Sequence, residues 1–137
     1  CDVTVLLDTP NCKRAALPEA VPVHVVMDHH IDNSFSDESV IRYLDATAAA
    51  TADLVFLLIR SMPDWQFNAR CATLLMLGIV GDTGAFRFDN TRPETLQDAS
   101  ELLEAGAEYR KIIHALFFNF LMEHIWGYNF FRFPQKA

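Results

Sequence analysis

Length, composition and charge are those of a single globular domain. The chain has 137 residues, 51% of them hydrophobic, and its 18 acidic and 11 basic side chains give a formal net charge of -7. A domain of this size can bury a sizeable core, whereas the negative charge argues against a broad basic surface that holds long nucleic acid through its phosphates. Bound cations could still supply the positive charge that a phosphate substrate needs.

The three cysteines, Cys1, Cys12 and Cys71, are odd in number and lack CxxC spacing. They suggest neither a disulfide framework nor a zinc knuckle. The longest apolar run, 74–80, is too short to span a bilayer, so we expect a soluble, cytoplasmic protein without a membrane partner. The chain starts at Cys1 and enters a strand-like segment almost at once, which is typical of a fragment that begins inside a domain.

Apolar runs and helix-capping signals predict an α/β fold. Three short apolar segments favour strands, and the second is continuously apolar, as expected in a parallel sheet that is covered on both faces. Helix formers, apolar spacing and capping residues indicate the helices. The predicted strands are 3–8, 23–27 and 39–44. The predicted helices are 48–60, 68–80, the segment from the Thr91 to Glu94 capping box to Gly106, and 108–120. N-cap candidates for the first helix lie at 45–47.

The triplet Asp28-His29-His30 ends the second predicted strand. Imidazole and carboxylate together bind Mn, Zn, Fe or Mg. Side chains alternate along a strand, so we expect Asp28 and His30 to face one way and His29 the other. One histidine then holds a metal while the other meets substrate or solvent. The alternative is a strand end with incidental polar residues.

Two further aspartates occupy comparable positions. Asp8 ends the first predicted strand, and because ligand sites of open α/β sheets gather outside the carboxyl ends of the strands, we expect it to share a crevice with the triplet. Asp82 lies among the glycines of 78–84, which indicate a sharp turn or a close backbone approach. A carboxylate at the end of a buried helix is expensive unless it is paired or bound to metal. The alternative is an Asp82 that only caps a turn.

Three other polar residues are candidates for the site. Arg87 and Arg92 are candidates for substrate phosphate, since guanidinium pairs well with phosphate oxygens, although a surface position without that role is the alternative for both. His24 lies inside the second predicted strand with no adjacent residue to complete a ligand set, which favours a core or partly exposed histidine over a ligand.

Asp8, Asp28-His29-His30 and the run from Gly78 to Phe86, in this order and spacing, resemble the DHH phosphoesterase family. The Asp-Thr-Gly-x-Phe-x-x-x-x-Thr pattern of 82–91 is most similar to its nanoRNase and pAp-phosphatase branch. The resemblance covers about 3–116. It implies a parallel sheet flanked by helices, with a partial DHH domain over 1–116 and an aromatic-rich helix or linker over 117–137 that leads towards a missing domain.

The resemblance also implies a metal site and roles for its residues. The family holds two Mn²⁺ ions, with Mg²⁺ as the alternative cation. Asp8 would be the bridging carboxylate, His29 and Asp82 would complete the second metal site, and His30 would lie beside the scissile phosphate with Asp28 orienting it. In such two-metal sites the ions activate water and stabilise the charge that develops on phosphorus.

Two departures from the family pattern limit what this chain is expected to do. The first family motif, a His followed by Asp-x-Asp on an earlier strand, has no room before Asp8. The C-terminal substrate domain with its glycine-rich His motif is also absent. We therefore expect a metal-dependent phosphoesterase in the parent protein and weak or no activity in this chain alone.

Several alternatives remain open at this level. The expected substrates are short oligonucleotides or 3′-phosphoadenosine 5′-phosphate (pAp); the runners-up are cyclic dinucleotides, longer nucleic acid as for a RecJ-like exonuclease, polyphosphate and pyrophosphate. A second class of function is a degenerate module that binds nucleotide or protein without catalysis. The aromatic C-terminus needs a partner surface, which is the chain's own core, the missing domain or a second subunit in a homodimer.

Overall fold

The computed structural model describes residues 3–18, 21–35, 37–64 and 68–119. Its elements follow the predicted order of three strands and then four helices, the last of which continues as a π-helical turn. The strands are β1 Val5–Leu7, β2 Val25–Asp28 and β3 Ile41–Leu44; the helices are α1 Thr51–Ser61, α2 Ala69–Asp82, α3 Pro93–Glu104 and α4 Tyr109–Ile113, followed by the π-helix His114–Asn119.

The sheet is parallel throughout, in the order β1-β2-β3. Val5 pairs with Val25 and Leu7 with Met27, and on the other side of β2 the pairing runs on to Asp28 opposite Leu44. All three strands therefore end at the same edge of the sheet. The predicted parallel α/β fold is confirmed.

Both faces of β2 are buried, as its continuous apolar run predicted. Val26 is fully buried with Leu6 and Val40 on one face, where turn and loop residues such as Phe35 pack against them. Met27 lies on the opposite face beside Ala48 and Leu54 at the start of α1. The sheet is thus anchored to α1 directly below the edge at which the strands end.

The larger core lies among the helices. Phe56 of α1, Met76 and Ile79 of α2, Leu102 of α3 and Ile112 of α4 are all buried within it. Gly78 allows α2 to approach α1 closely, because a Cβ placed there would lie 2.7 Å from the Cβ of Ala52. This packing fixes the C-terminal end of α2 against the sheet edge.

Helix termini depart from the predicted capping residues. The N-cap of α1 is Ala50, which has no side chain to offer, so the candidates at 45–47 are wrong. The N-cap of α3 is Arg92, with Pro93 in the first turn as predicted; the expected capping box from Thr91 is wrong, since α3 has no side-chain cap and the Thr91 hydroxyl has no partner among the described residues. Gly106, with φ +92, follows the end of α3 as predicted.

The last described segment consists of α4 and the π-helix, where a single continuous helix was predicted over 108–120. Tyr109 stacks on Phe86, which ties α4 to the loop after α2. The predicted aromatic segment 117–137 lies outside the described residues from position 120 onward, and the division at residue 116 stays a prediction. Among the described helices, none combines the length and apolarity that crossing a bilayer requires.

Candidate metal centre

Asp8 stands at the carboxyl end of β1 in an unusual backbone conformation. Its φ is +57, in the left-handed region that aspartate tolerates better than most residues. Its side chain is 55% exposed, and its Oδ1 accepts a hydrogen bond of 2.9 Å from the hydroxyl of Thr51 in α1. The turn therefore presents a carboxylate at the open edge of the sheet, held from one side.

Asp28 is the last residue of β2 and is fully buried. It accepts three hydrogen bonds: from His30 Nδ1 at 2.6 Å, from Asn33 Nδ2 at 2.9 Å and from the backbone N–H of His29 at 3.0 Å. Burial raises the pKa of its carboxyl group, but the bonds from His30 and Asn33 outweigh that effect and lower the pKa from its ordinary value. Asp28 is therefore a charged acceptor that fixes its neighbours.

The two histidines of the triplet follow the end of β2 and have different hydrogen-bond partners, but their ring centroids lie only 4.8 Å apart, so the predicted opposite orientation is wrong. His30 turns back to Asp28, and this hydrogen bond raises the pKa of His30 above its usual range. His29 Nδ1 lies 3.4 Å from the carbonyl oxygen of Ala48. A carbonyl can only accept, so Nδ1 is the protonated nitrogen and Nε2 carries the free lone pair.

That lone pair lies between two carboxylates. His29 Nε2 is 3.5 Å from Asp8 Oδ1 and 3.6 Å from Asp82 Oδ2. Asp82 is the last residue of α2, so the buried helix delivers it to the sheet edge. Burial raises the pKa of the Asp82 carboxyl group, and the negative charge of Asp8 raises it further. Excess negative charge is what a divalent cation would neutralise.

The donor set fits a divalent cation. Two carboxylates and one imidazole are ligands suited to Mn, Fe, Zn or Mg, and one ligand atom each of Asp8, His29 and His30 lies within 4.8 Å of the others. This group of three contains His30 and not Asp82. Asp82 is a further candidate ligand, because its Oδ2 lies 3.6 Å from His29 Nε2.

Comparison with known proteins identifies the family of the chain. The family model described as DHH family, N-terminal domain, matches residues 2–79, which is more than half of the chain. The chain belongs to the DHH family. Its match to the family model includes Asp8 and the Asp28-His29-His30 triplet, and ends shortly before Asp82.

Two curated relatives of this DHH chain are described as bifunctional oligoribonuclease and PAP phosphatase NrnA. The Thermus thermophilus protein is 35% identical over 119 residues, which cover 80% of this chain and 36% of the relative. The Bacillus subtilis protein is 26% identical over 120 residues, with 84% and 37% covered. The chain thus spans little more than a third of the length of these relatives.

A solved structure of similar fold comes from Bacteroides fragilis and is described as an exopolyphosphatase-related protein. It superposes with a TM-score of 0.74 at 25% identity, covering 93% of this chain and 40% of the other. The parallel sheet and its helices are therefore arranged as in this solved structure.

The remaining candidate residues of the DHH chain are engaged elsewhere. Arg87 Nε donates to the carbonyl oxygen of Gly84 at 2.5 Å, and its guanidinium lies 5.1 Å from the ring centroid of Phe117. Arg92 donates to the Thr47 hydroxyl. His24 Nδ1 accepts from the backbone N–H of Thr4, across β1 and β2. A phosphate contact from Arg87 stays a prediction.

Sequence reasoning missed three residues that support the site. Thr51 holds Asp8, Asn33 holds Asp28, and Asn90 donates from Nδ2 to the carbonyl oxygens of Ala49 and Asp82. Only Asn33 lay close enough to a motif to be suspected, since it follows His30 by three positions. Thr51 contacts Asp8 across 43 residues, so no local pattern pointed to it, whereas Asn90 occupies an unspecified position of the 82–91 pattern.

Proposed function

We propose that the protein containing this chain is a metal-dependent phosphoesterase and that Asp8, His29 and Asp82 hold a divalent cation, Mn²⁺ in the first place. The observation that carries the proposal is the position of His29 Nε2 between the carboxylates of Asp8 and Asp82. Membership of the DHH family and the names of the NrnA relatives support a hydrolase of phosphate esters.

A cation held by these three residues would supply Lewis acidity that activates water and stabilises the charge developing on the phosphoryl group. His30 acts beside it. Its Nδ1–H is bonded to Asp28, which leaves Nε2 to face the substrate. The hydrogen bond to Asp28 raises the pKa of His30, which favours a protonated ring that can donate from Nε2 to a phosphate oxygen. Asp28 fixes the ring orientation.

The proposed substrates are short oligonucleotides and pAp. This choice follows the activities for which the two NrnA relatives are named. A small substrate also agrees with the net charge of -7, which disfavours binding of long nucleic acid through its phosphates. Polyphosphate is the second candidate, because the similar solved structure is described as exopolyphosphatase-related. We also propose that the protein is cytoplasmic and forms a homodimer.

A substrate panel tests the function. Hydrolysis of pAp, pApA, cyclic di-AMP, polyphosphate and pyrophosphate is measured with Mn²⁺ or Mg²⁺, using both this chain and a longer protein that contains it. We expect pAp and pApA to be the best substrates, and His29→Gln to abolish their turnover. Pyrophosphate as the only substrate would contradict the nucleotide assignment. Cation binding without turnover of any phosphate would favour a binding module.

A further inference from the structure

Segment 48–51, which leads into the first turn of α1, contacts the candidate metal centre at several points. The Ala48 carbonyl oxygen lies 3.4 Å from His29 Nδ1. The Thr51 hydroxyl donates to Asp8 Oδ1 at 2.9 Å. The Ala49 carbonyl oxygen accepts from Asn90, which also donates to the backbone oxygen of Asp82. One short segment is therefore bonded to two of the three candidate ligands and linked through Asn90 to the third.

The segment is itself held in place by a buried carboxylate. Asp53 is 3% exposed, and its Oδ2 accepts from the backbone N–H groups of Ala49 and Ala50 at 3.1 and 3.2 Å. Its Oδ1 has no hydrogen-bond partner among the described residues. The alanine N-cap leaves the backbone without a side-chain acceptor at this point, and Asp53 reaches back by one turn to supply it.

Thr51 contributes more than helix formation to this arrangement. Its side chain is buried at 4% exposure, although Asp8, the group that it contacts, is more than half exposed. An exposed aspartate samples a broad range of χ2 angles. Among the described residues, the hydroxyl of Thr51 is the side-chain hydrogen-bond donor to Asp8. Thr51 is therefore placed to restrict the Asp8 carboxylate.

We propose that Thr51 is a positioning residue for metal binding: its hydroxyl orients Asp8 towards the cation that Asp8, His29 and Asp82 share. The inference rests on the proposed function, because it requires a cation at this site. Residues that orient metal ligands typically change metal affinity by about 10–100-fold when they are removed. Thr51 would act through Asp8 and need not touch the substrate.

The test is the Mn²⁺ affinity of the chain, measured by isothermal titration calorimetry. Thr51→Val removes the hydroxyl and keeps the shape of the side chain, so we expect an affinity about tenfold weaker than that of the wild type. Thr51→Ser keeps the hydroxyl and should restore most of the affinity. Thr95→Val is the matched control, because Thr95 is an equally buried threonine of α3 whose hydroxyl has no hydrogen-bond partner among the described residues. It should bind Mn²⁺ like the wild type.

Circular dichroism and thermal unfolding establish that each variant is folded. If Thr51→Val does not fold, Thr51→Ala replaces it, since it removes the hydroxyl without branching at Cβ. Wild-type affinity in the valine or alanine variant would overturn the positioning role while leaving the metal site intact. Equal weakening by serine and valine would also overturn it, because the hydroxyl would then be irrelevant. A wild-type chain that binds no Mn²⁺ would instead overturn the proposed function, and this inference with it.

Discussion

Buried carboxylates occur in two regions of the molecule with opposite surroundings. At the sheet edge, Asp28 accepts from three donors, and its pKa is lowered despite complete burial. Between α1 and α3, Asp53 and Asp98 are almost as buried, yet burial raises the pKa of both. The nearest cation to Asp98 is Arg60, at 3.7 Å. Burial alone therefore does not decide the charge state; the number of donors does.

The buried carboxylate at the sheet edge belongs to the proposed site, whereas burial of the carboxylates between α1 and α3 lowers the stability of the folded chain. The three donors on Asp28 come from the site itself, and one of them is the His30 ring that we assign to the substrate phosphate. The negative charge of Asp53 adds to the effect of burial and raises the pKa of Asp98 further. Asp28 should stabilise the folded chain as an anion, whereas Asp98 should destabilise it.

The largest expected effect concerns the group that Asp28 positions. His30→Gln should lower kcat on the best substrate by about 100-fold or more, since proton transfer or donation by a positioned histidine contributes at least that much. Mn²⁺ affinity should fall much less than in His29→Gln, because the proposed ligands are Asp8, His29 and Asp82. Steady-state kinetics and calorimetry measure the two quantities. Loss of Mn²⁺ binding equal to that of His29→Gln would make His30 a metal ligand instead.

Asp98→Asn should stabilise the folded chain at high pH. The pKa of Asp98 is raised from 3.8 to about 6, chiefly by burial, so its charged form disfavours folding by up to about 3 kcal/mol above pH 6 and has no such effect below pH 4. The free energy of unfolding of the variant, relative to the wild type, should therefore rise between pH 4 and pH 8. Urea unfolding measures it.

Glu101→Gln is the control for Asp98→Asn. Glu101 lies one turn further along α3 and contacts the same Arg60, but its side chain is about half exposed. Its substitution should change the free energy of unfolding little at either pH. An Asp98→Asn variant that is less stable than the wild type at pH 8 would show that the contact with Arg60 outweighs the burial of the carboxylate.

The corresponding substitution at Asp28 should lower the free energy of unfolding, by somewhat less than Asp98→Asn should raise it. Asp28→Asn replaces a charged acceptor by an amide that faces three donors, so we expect a loss of about 2 kcal/mol in the free energy of unfolding at pH 7. Because the pKa of Asp28 is lowered, the difference from the wild type should shrink as the pH falls through the carboxyl range. Asp37→Asn, which alters an exposed acceptor, is the control. Unchanged stability of Asp28→Asn would remove the contrast between the two regions.

The sheet and the site edge could be predicted because each depends on local sequence. The continuous apolar run of β2 indicated a strand covered on both faces, and parallel strands carry their last residues to a common edge. The sequence therefore predicts that Asp8 and Asp28-His29-His30 lie together at this edge. Asp82 was expected from its position at the end of a buried helix, where an unpaired charge is unfavourable.

The supporting residues could not be predicted because they act over long sequence separations. Thr51 contacts Asp8 across 43 residues, and Asn90 links Ala49 with Asp82. Asp53 was the exception that could have been found, since an acidic residue at the third position of a helix often reaches back to the N-cap. Asp98 also left a signal, because its spacing from Thr95, Ala99 and Leu102 places it on the buried face of α3.

The central claim is that Asp8, His29 and Asp82 form one cation site, and the most direct test is a calorimetric Mn²⁺ titration of His29→Gln and Asp82→Asn beside the wild type. Each substitution removes a ligand and should weaken Mn²⁺ binding by at least about tenfold. Asp64→Asn, which removes an exposed carboxylate from the loop after α1, should bind like the wild type. An Asp82→Asn variant with wild-type affinity would contradict the site.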